Sequence, residues 1–246
     1  LIDIEWEILE PILDFEKALD NPVLIHPEPE IFENFPIGFY PKRNLAAGYH
    51  MEVGNVEDSL KDCDVVVDET FYTQAQAHAA MEPHTVNAKF DYQNRLMIYT
   101  STQTPFHVRR IISQSLNFPL SRIRVIKPRV GGGFGGKQHI HGELLVSTVT
   151  IKTGKPAKMV YTRKEVFESS FQRHPMKINI KLGATKEGVL KAIDCYILSD
   201  TGAYGEHALT VFMVAGSKVL PLYNKVDAVR FYGDVVYTNH TSAGAY

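Results

Sequence analysis

The stretch Gly131-Gly-Gly-Phe-Gly-Gly-Lys137 is the most informative part of this sequence, because it places five glycines in six positions. Glycine loses more freedom on folding than any other residue, so such a run suits a backbone that bends through positive φ close to a ligand. Unpaired N–H groups in such a loop bind anions, and a following helix adds its N-terminal dipole. Phe134 puts an aromatic ring in this bare loop, which argues against a purely structural turn.

The loop also matches the beginnings of two phosphate-binding motifs, and both matches are incomplete. The spacing of Gly131, Gly133 and Gly136 fits the dinucleotide fingerprint, but no acidic residue follows about 20 positions later to hold a ribose. Lys137 fits the start of a nucleoside-triphosphate loop, but Gln138 stands where Ser or Thr binds magnesium. Phosphate or nucleotide binding by the loop alone therefore stays open, beside a structural turn.

Composition limits the class of protein. The chain has 246 residues, 44% of them hydrophobic, and a formal net charge of −2. A near-neutral balance argues against a nucleic-acid partner, which usually selects a basic excess. The two cysteines, Cys63 and Cys195, exclude a disulfide framework and an iron–sulfur cluster within this chain, and they fit a reducing compartment. No apolar run approaches a membrane span, so we expect a cytoplasmic protein.

Local patterns predict helices and strands without strict alternation, which is typical of an α+β or mixed α/β fold. The alternation in 1–6 predicts a half-buried strand, and 14–19 predicts a short helix. The proline-rich segment 21–44 predicts an irregular connection. Further strands are expected at 64–72, 84–92, 95–101, 122–127, 158–161, 176–182, 189–199 and 226–237, and further helices at 56–60, from Thr104-Pro105, at 142–151 and at 210–220.

Four other segments accompany the glycine loop: Gln76-x-His78-x-x-Met81-Glu-Pro83, Ser101-Thr-Gln-Thr-Pro105, Asp200-Thr-Gly-Ala-Tyr-Gly205 and Asn239-His-Thr-Ser-Ala-Gly-Ala-Tyr246. In this order they resemble the molybdenum-binding (large) subunit of the xanthine dehydrogenase/aldehyde oxidase family of molybdenum hydroxylases, over nearly the whole chain. The sequence looks most like the bacterial xanthine, nicotinate and purine hydroxylases. Because both ends are abrupt, we expect a fragment that lacks the N-terminal part and the C-terminal half.

The resemblance implies a domain organisation. Residues 45–246 would form the first molybdopterin-binding domain, which is incomplete without a downstream segment. Residues 21–44 would be a connecting segment, and residues 1–20 would be the end of a preceding small α/β, hammerhead-like domain.

The resemblance also implies the site. The metal would sit on a pyranopterin, either molybdopterin or its cytosine dinucleotide, without a direct side-chain ligand. Gln103 matches the glutamine that hydrogen-bonds the oxo ligand. An amide suits that role because it can donate a hydrogen bond without adding charge. Phe134 would also lie near the molybdenum and border the substrate. Gln138 would contact the substrate too, at the position where the animal xanthine enzymes carry a glutamate. The residues that would bind the cofactor are Gln103, Gly132, Gly133, Phe134 and Gly135.

No catalytic residue is assigned within this chain, since the family's general-base glutamate is expected on another segment. Glu82 is expected in a loop segment that packs near the site, with a structural role. His139 and His141 form a possible metal pair, but no third ligand has metal-like spacing. We therefore interpret them as exposed or helix-capping histidines.

The implied reaction is hydroxylation of an sp² carbon of an N-heterocycle, purine- or nicotinate-like, with water as the oxygen source. Electrons would pass through 2Fe-2S clusters to FAD. Those centres, and the complementary C-terminal molybdopterin-binding segment, are expected on partner chains or other segments of a hetero-oligomer. An aldehyde- or CO-type hydroxylase and a catalytically inactive structural subunit are the alternatives.

Overall fold

The computed structural model describes residues 3–28 and 37–246, which divide into two compact units. Leu1–Ala75 and His174–Ala243 make up the first unit, and Gln76–Arg173 and Gly244–Tyr246 make up the second. No helix in these described ranges combines the length and the apolar character that crossing a membrane requires. The elements in chain order are β1 (Leu45–Val53), α1 (Val56–Lys61), β2 (Val65–Thr73), β3 (Thr85–Phe90), β4 (Leu96–Thr100), α2 (Pro105–Leu116), β5 (Ile123–Ile126), α3 (Glu143–Thr153), β6 (Ala157–Val160), α4 (Arg163–Ser169), β7 (Met176–Ala184), β8 (Leu190–Asp200), α5 (Ala208–Ser217) and β9 (Ala228–Val236).

The first unit is a five-stranded sheet in the order β1-β9-β8-β7-β2. Strands β8 and β9 run parallel, and the other neighbours run antiparallel. Its core contains Ile193 of β8, Phe212 of α5 and Phe231 of β9, and the two phenylalanine rings stack with centroids 5.1 Å apart. The side chains that this sheet and helix α5 turn toward each other are therefore apolar, as their burial requires.

The second unit carries the glycine loop on a four-stranded sheet in the order β5-β4-β3-β6. Strands β4 and β5 run parallel and are connected by α2, the crossover that parallel neighbours need. Helix α2 begins with Pro105, whose missing N–H costs nothing in a first turn. It buries Val108 and Ile112 together with Val146 of α3. The glycine loop lies between β5 and α3, so both of its ends are fixed by packed elements.

The predicted mixed α/β class is confirmed, and so are most of the predicted elements. The predicted strand at 1–6 is wrong for its described residues, which have no regular structure. Trp6 is 80% exposed there, because no described strand pairs with this segment to complete a sheet. The short helix predicted at 14–19 is a single 3₁₀ turn, Phe15–Lys17. Strand β1 and helix α4 were not predicted.

The predicted connection 21–44 is described only at its two ends, since 29–36 lie outside the described residues. Ile12 and Ala18 pack against Leu198 of β8 and Val236 of β9. The domain boundaries at 20 and 44 stay a prediction.

Candidate functional site

The backbone of the glycine loop passes through left-handed conformations. The φ angle is 98° at Gly132, 52° at Phe134 and 95° at Gly135. Toward the rest of the described chain, the N–H groups of Gly132, Gly133 and Phe134 donate no hydrogen bond. Consecutive unpaired N–H groups in such a turn form a nest for an anionic or oxygen-rich group.

Gln103 lies against this loop, as its predicted role requires. Its side-chain Oε1 accepts hydrogen bonds from the N–H groups of Gly135 (3.0 Å) and Lys137 (3.2 Å). The backbone N–H of Gln103 donates to the carbonyl of Lys137 at 2.8 Å. These bonds assign Oε1 to the loop, and the Nε2 group makes no hydrogen bond to any described residue. The amide of Gln103 is thus oriented with its donor available.

Close approach leaves no room for a Cβ at four of the five loop glycines, most tightly at Gly133 and Gly135. A Cβ on Gly133 would lie 2.6 Å from Oε1 of Gln103. A Cβ on Gly135 would lie 2.4 Å from the carbonyl oxygen of Ala245, which comes from the last segment of the same unit. The loop therefore touches both Gln103 and the segment that closes the chain, and any side chain at either position would separate them.

The two residues predicted to meet the substrate occupy different surroundings. The ring of Phe134 is 63% exposed and lies over Gly132. Gln138 is partly buried, and its backbone is held by Gly135 and Thr104: its N–H donates to the Gly135 carbonyl at 3.1 Å, and its carbonyl accepts from the Thr104 hydroxyl at 2.7 Å. The structure thus brings Gln103, Gly133 and Gly135 into contact and leaves the ring of Phe134 open.

A buried ion pair lies beside the loop and was not predicted. The Lys137 side chain is 1% exposed, and its Nζ lies 2.7 Å from Oε2 of Glu82. The same oxygen accepts the N–H of Gly131 at 2.7 Å. Burial alone would raise the pKa of Glu82, but the hydrogen bonds from Lys137 and Gly131 outweigh it and lower that pKa. Glu82 therefore packs near the loop. The sequence did not indicate a buried Lys137, because lysine is ordinarily exposed.

Histidines surround this ion pair. His78 bonds the carbonyl of Ala245 at 2.6 Å, and His141 bonds the carbonyl of Gly136 at 3.0 Å. The rings of His84 and His141 lie 3.8 Å apart. Burial is the main cause that lowers the pKa of His84 to about 3, and the neighbouring His141 and Lys137 add to it. His84 is therefore neutral at pH 7, and burial also lowers the pKa of His141.

Two small cavities lie among these groups. Each has a volume of about 10 Å³, which is room for about one water molecule. His84 and Lys137 line both of them, Gly133 and Gly136 line one, and Glu143 lines the other. The interior behind the loop is therefore small, and it is too narrow for a substrate.

The interpretation of His139 and His141 as exposed or helix-capping residues is wrong. His139 is buried with its ring 4.1 Å from that of Phe171, and His141 supports the loop. His139 and His141 follow a turn and are not part of an extended segment. Both rings therefore pack into the unit. Glu143 is likewise buried, and it accepts bonds from the Thr100 hydroxyl (2.6 Å) and the His141 N–H (2.8 Å).

Comparison with known proteins gives these features a family. The model of the molybdopterin cofactor-binding domain matches residues 39–246. The probable hypoxanthine oxidase XdhD of Escherichia coli (strain K12) is 35% identical over all of this chain, which covers 28% of that protein. The nicotinate dehydrogenase large molybdopterin subunit of Eubacterium barkeri is also 35% identical over all of this chain, which covers 54% of it.

Among solved structures, the aldehyde oxidoreductase from Desulfovibrio gigas has the same fold, with a TM-score of 0.80 at 22% identity. The match covers 96% of this chain and 25% of that one. The chain thus spans between about a quarter and about half of the length of these three proteins. Because the family model covers most of the sequence and the fold agrees, the chain belongs to the molybdopterin cofactor-binding domain family, as its resemblance to the xanthine dehydrogenase-type molybdenum hydroxylases predicted.

Proposed function

We propose that this chain is the molybdenum-binding part of an oxidoreductase that hydroxylates an sp² carbon of a purine- or nicotinate-like N-heterocycle, with water as the oxygen source. Support comes from the relatives, one a probable hypoxanthine oxidase and one a nicotinate dehydrogenase subunit. Electrons would leave through 2Fe-2S clusters to FAD on other segments or subunits. The two cysteines of this chain cannot supply the four thiolates of such a cluster. The assembly would act in the cytoplasm, where thiols such as the free Cys63 and Cys195 stay reduced.

The loop suits a molybdenum-pyranopterin group. Such a group brings its own sulfur and oxygen ligands, so it needs hydrogen-bond donors from the protein rather than side-chain ligands. The unpaired N–H groups of Gly132, Gly133 and Phe134 are donors of this kind. When bound, the group supplies a two-electron redox centre and activates an oxygen derived from water.

One observation carries the proposal: the amide of Gln103 is oriented by the loop. Because Oε1 is occupied by Gly135 and Lys137, the Nε2 group is left to donate toward an oxygen ligand. A donor fixed in advance stabilises developing negative charge without reorganisation. The exposed ring of Phe134 would limit the poses of a planar substrate, and Gln138 would offer an amide to ring nitrogens or carbonyls.

The buried state of Lys137 disfavours the alternative of nucleotide binding by the loop. A triphosphate loop needs a lysine whose ammonium reaches the phosphates. Here the ammonium is paired with Glu82 and 1% exposed. A nucleotide would have to break that pair before it could bind.

The variants Gln103→Ala and Gln103→Glu test the role of the amide. Glutamate keeps the acceptor oxygen for the loop but cannot donate at neutral pH. In the native assembly we expect both variants to lower kcat about 100-fold, the effect of losing one positioned donor. Molybdenum per chain, measured by mass spectrometry, should stay close to that of the wild type. Gln93→Ala, in an exposed turn, is the matched control and should leave turnover unchanged.

Turnover of Gln103→Glu at the wild-type rate would refute the donor role. Purines, nicotinate and an aldehyde, each assayed in isotopically labelled water, test the substrate class. Labelled oxygen should enter a heterocycle. Turnover of the aldehyde alone would overturn that class, and a wild-type native assembly without molybdenum would overturn the whole proposal.

A further inference from the structure

Lys137 is a fully buried cation with one anionic partner among the residues that the structure describes. Its Nζ lies 2.7 Å from Oε2 of Glu82, and burial lowers the pKa values of the nearby His84 and His141, which disfavours their cationic forms. A lysine is rarely buried in this way without a paired carboxylate. Removing either partner would leave an uncompensated charge inside the unit, which is strongly unfavourable.

Glu82 holds the two ends of the glycine loop with a single carboxylate oxygen. At the start of the loop, Oε2 accepts the N–H of Gly131 at 2.7 Å, and the Glu82 N–H donates to the Gly131 carbonyl at 3.1 Å. At the end of the loop, the same Oε2 accepts from Lys137. The Glu82 and Lys137 side chains thus link the two ends of the loop to each other.

The ion pair also reaches Gln103 through the backbone of Lys137. The Lys137 N–H donates to Oε1 of Gln103 at 3.2 Å, and the Lys137 carbonyl accepts from the Gln103 N–H at 2.8 Å and from the Thr102 hydroxyl at 3.2 Å. Gln103 is therefore bonded to the residue whose side chain is held by Glu82. A shift of Lys137 would move both the loop and the Gln103 amide.

We propose that Glu82 and Lys137 are positioning residues: their ion pair clamps the glycine loop and sets the orientation of the Gln103 amide. This inference rests on the proposed function of Gln103 for its effect on catalysis, although the clamp itself does not. Neither residue touches the cofactor in this proposal, and both act through Gly131 and Gln103.

The test is amide hydrogen exchange across 131–137 in the native assembly, for Glu82→Gln, Lys137→Met and the double variant. Glutamine keeps an acceptor for Gly131, and methionine keeps most of the lysine volume without its charge. The double variant leaves no unpaired charge, so its thermal midpoint should return toward that of the wild type. The exposed pair Lys164–Glu168 of α4 supplies the matched control, Glu168→Gln/Lys164→Met.

In the double variant we expect exchange in 131–137 to be faster by about tenfold or more, with exchange in β7 and β8 unchanged. The kcat should fall while KM changes little. The control should match the wild type in every measurement. Loop exchange within about twofold of the wild type in the double variant would overturn the proposal, even if the single variants fail to fold. Amide exchange can be measured whether or not molybdenum is bound. The clamp proposal can therefore fail while the proposed cofactor binding, which molybdenum content tests, still holds.

Discussion

Gly135 shows how little freedom the loop has at a single residue. Its φ of 95° is strained for any other residue, and an added Cβ would lie 2.4 Å from the Ala245 carbonyl oxygen. We expect Gly135→Ala to combine a conformational cost of about 1 kcal/mol with a packing cost of roughly 1–3 kcal/mol. The midpoint of urea unfolding measures the sum.

Gly188→Ala separates these two costs. Gly188 also has a positive φ, 83°, but an added Cβ would meet nothing within 4 Å. The Gly188→Ala variant should therefore be destabilised only by the conformational cost. Equal destabilisation by the two variants would show that the approach to Ala245 costs nothing, which would contradict the packing described here.

His84 predicts how stability depends on pH. Burial and the adjacent His141 and Lys137 lower its pKa in the folded protein to about 3, whereas the unfolded chain should have the ordinary value of about 6.5. Between these values the unfolded state binds the extra proton. The free energy of unfolding should therefore decrease as the pH falls below about 6.5, by up to about 1.4 kcal/mol per pH unit.

His84→Phe should remove this contribution while keeping a ring beside Tyr161, whose ring centroid lies 5.6 Å away. Unfolding midpoints at about pH 7 and about pH 5 should differ less in this variant than in the wild type. His50→Phe is the control, because His50 is exposed and its ring lies 5.9 Å from that of Tyr232. If the pH dependence survives in His84→Phe, another group causes it.

At the residue scale, the sequence pattern could predict that Gln103 lies beside the glycine loop, but not that Lys137 is buried; the role of Gln103 toward the cofactor stays a prediction. The separation of Thr102-Gln103 from the glycine loop is a pattern, and the structure brings Gln103 onto Gly133 and Gly135. The burial of Lys137 depends on Glu82, which lies 55 residues earlier. Lysine beside a glycine loop ordinarily predicts an exposed cation, so only the tertiary contact reveals the pair.

Among the elements, α2 and α3 could be predicted because local signals mark their ends. Pro105 begins α2, and Gly154 in a left-handed conformation ends α3. Strand β1 lacks such signals, since its buried start is Leu45-Ala-Ala47 rather than β-branched residues. Pairing with β9 makes it a strand, and that pairing joins residues almost 200 positions apart.

Helix α4 was missed although it carries a capping box. The Thr162 hydroxyl accepts from the Glu165 N–H, and the Glu165 carboxylate accepts from the Thr162 N–H at 2.7 Å. This spacing was visible in the sequence. The helix has a role near the loop, because Arg163 donates to the carbonyls of Ala80 (2.6 Å) and Met81 (2.9 Å), next to Glu82.

Thr162→Ala should therefore cost about 1 kcal/mol and loosen the segment around Glu82. Amide exchange should become faster in 163–169 and in 80–82, which hydrogen exchange with mass spectrometry resolves. Lys164→Ala, an exposed position with a 3.7 Å partner in Glu168, is the control and should change little. Faster exchange in α4 without any change at 80–82 would show that Arg163 does not couple the helix to that segment.

At the scale of the whole molecule, the organisation into two units could not be predicted from local patterns. The first unit joins residues before Gln76 to residues after Arg173, so its sheet forms only through long-range pairing of β2 with β7 and of β1 with β9. The second unit contains the loop, Gln103 and the Glu82–Lys137 pair within one nearly continuous segment. The glycine loop and the motifs at 76–83 and 101–105 therefore lie together in the second unit, whereas the motif at 200–205 and most of the one at 239–246 belong to the first.

The second unit also predicts that this chain alone does not retain molybdenum. In the proposed site, the described residues of the loop would offer the cofactor N–H donors and the Gln103 amide, rather than thiolate or imidazole ligands for the metal. Large apolar side chains are also exposed on the second unit, as is expected of a surface that another polypeptide covers: Met81, Phe106, Leu145 and Val149. The chain also covers only 28% of one relative and 54% of another.

We therefore expect the chain expressed alone to purify with far less than one molybdenum per chain. Coexpression with the polypeptide that corresponds to the rest of its relatives should bring the ratio close to one, because the cofactor would then be enclosed on all sides rather than held by a single loop. Metal analysis by mass spectrometry, together with pterin fluorescence, measures both states. Stoichiometric molybdenum on the isolated chain would mean that the loop N–H groups and Gln103 hold the cofactor without help, and that the exposed apolar residues serve some other contact.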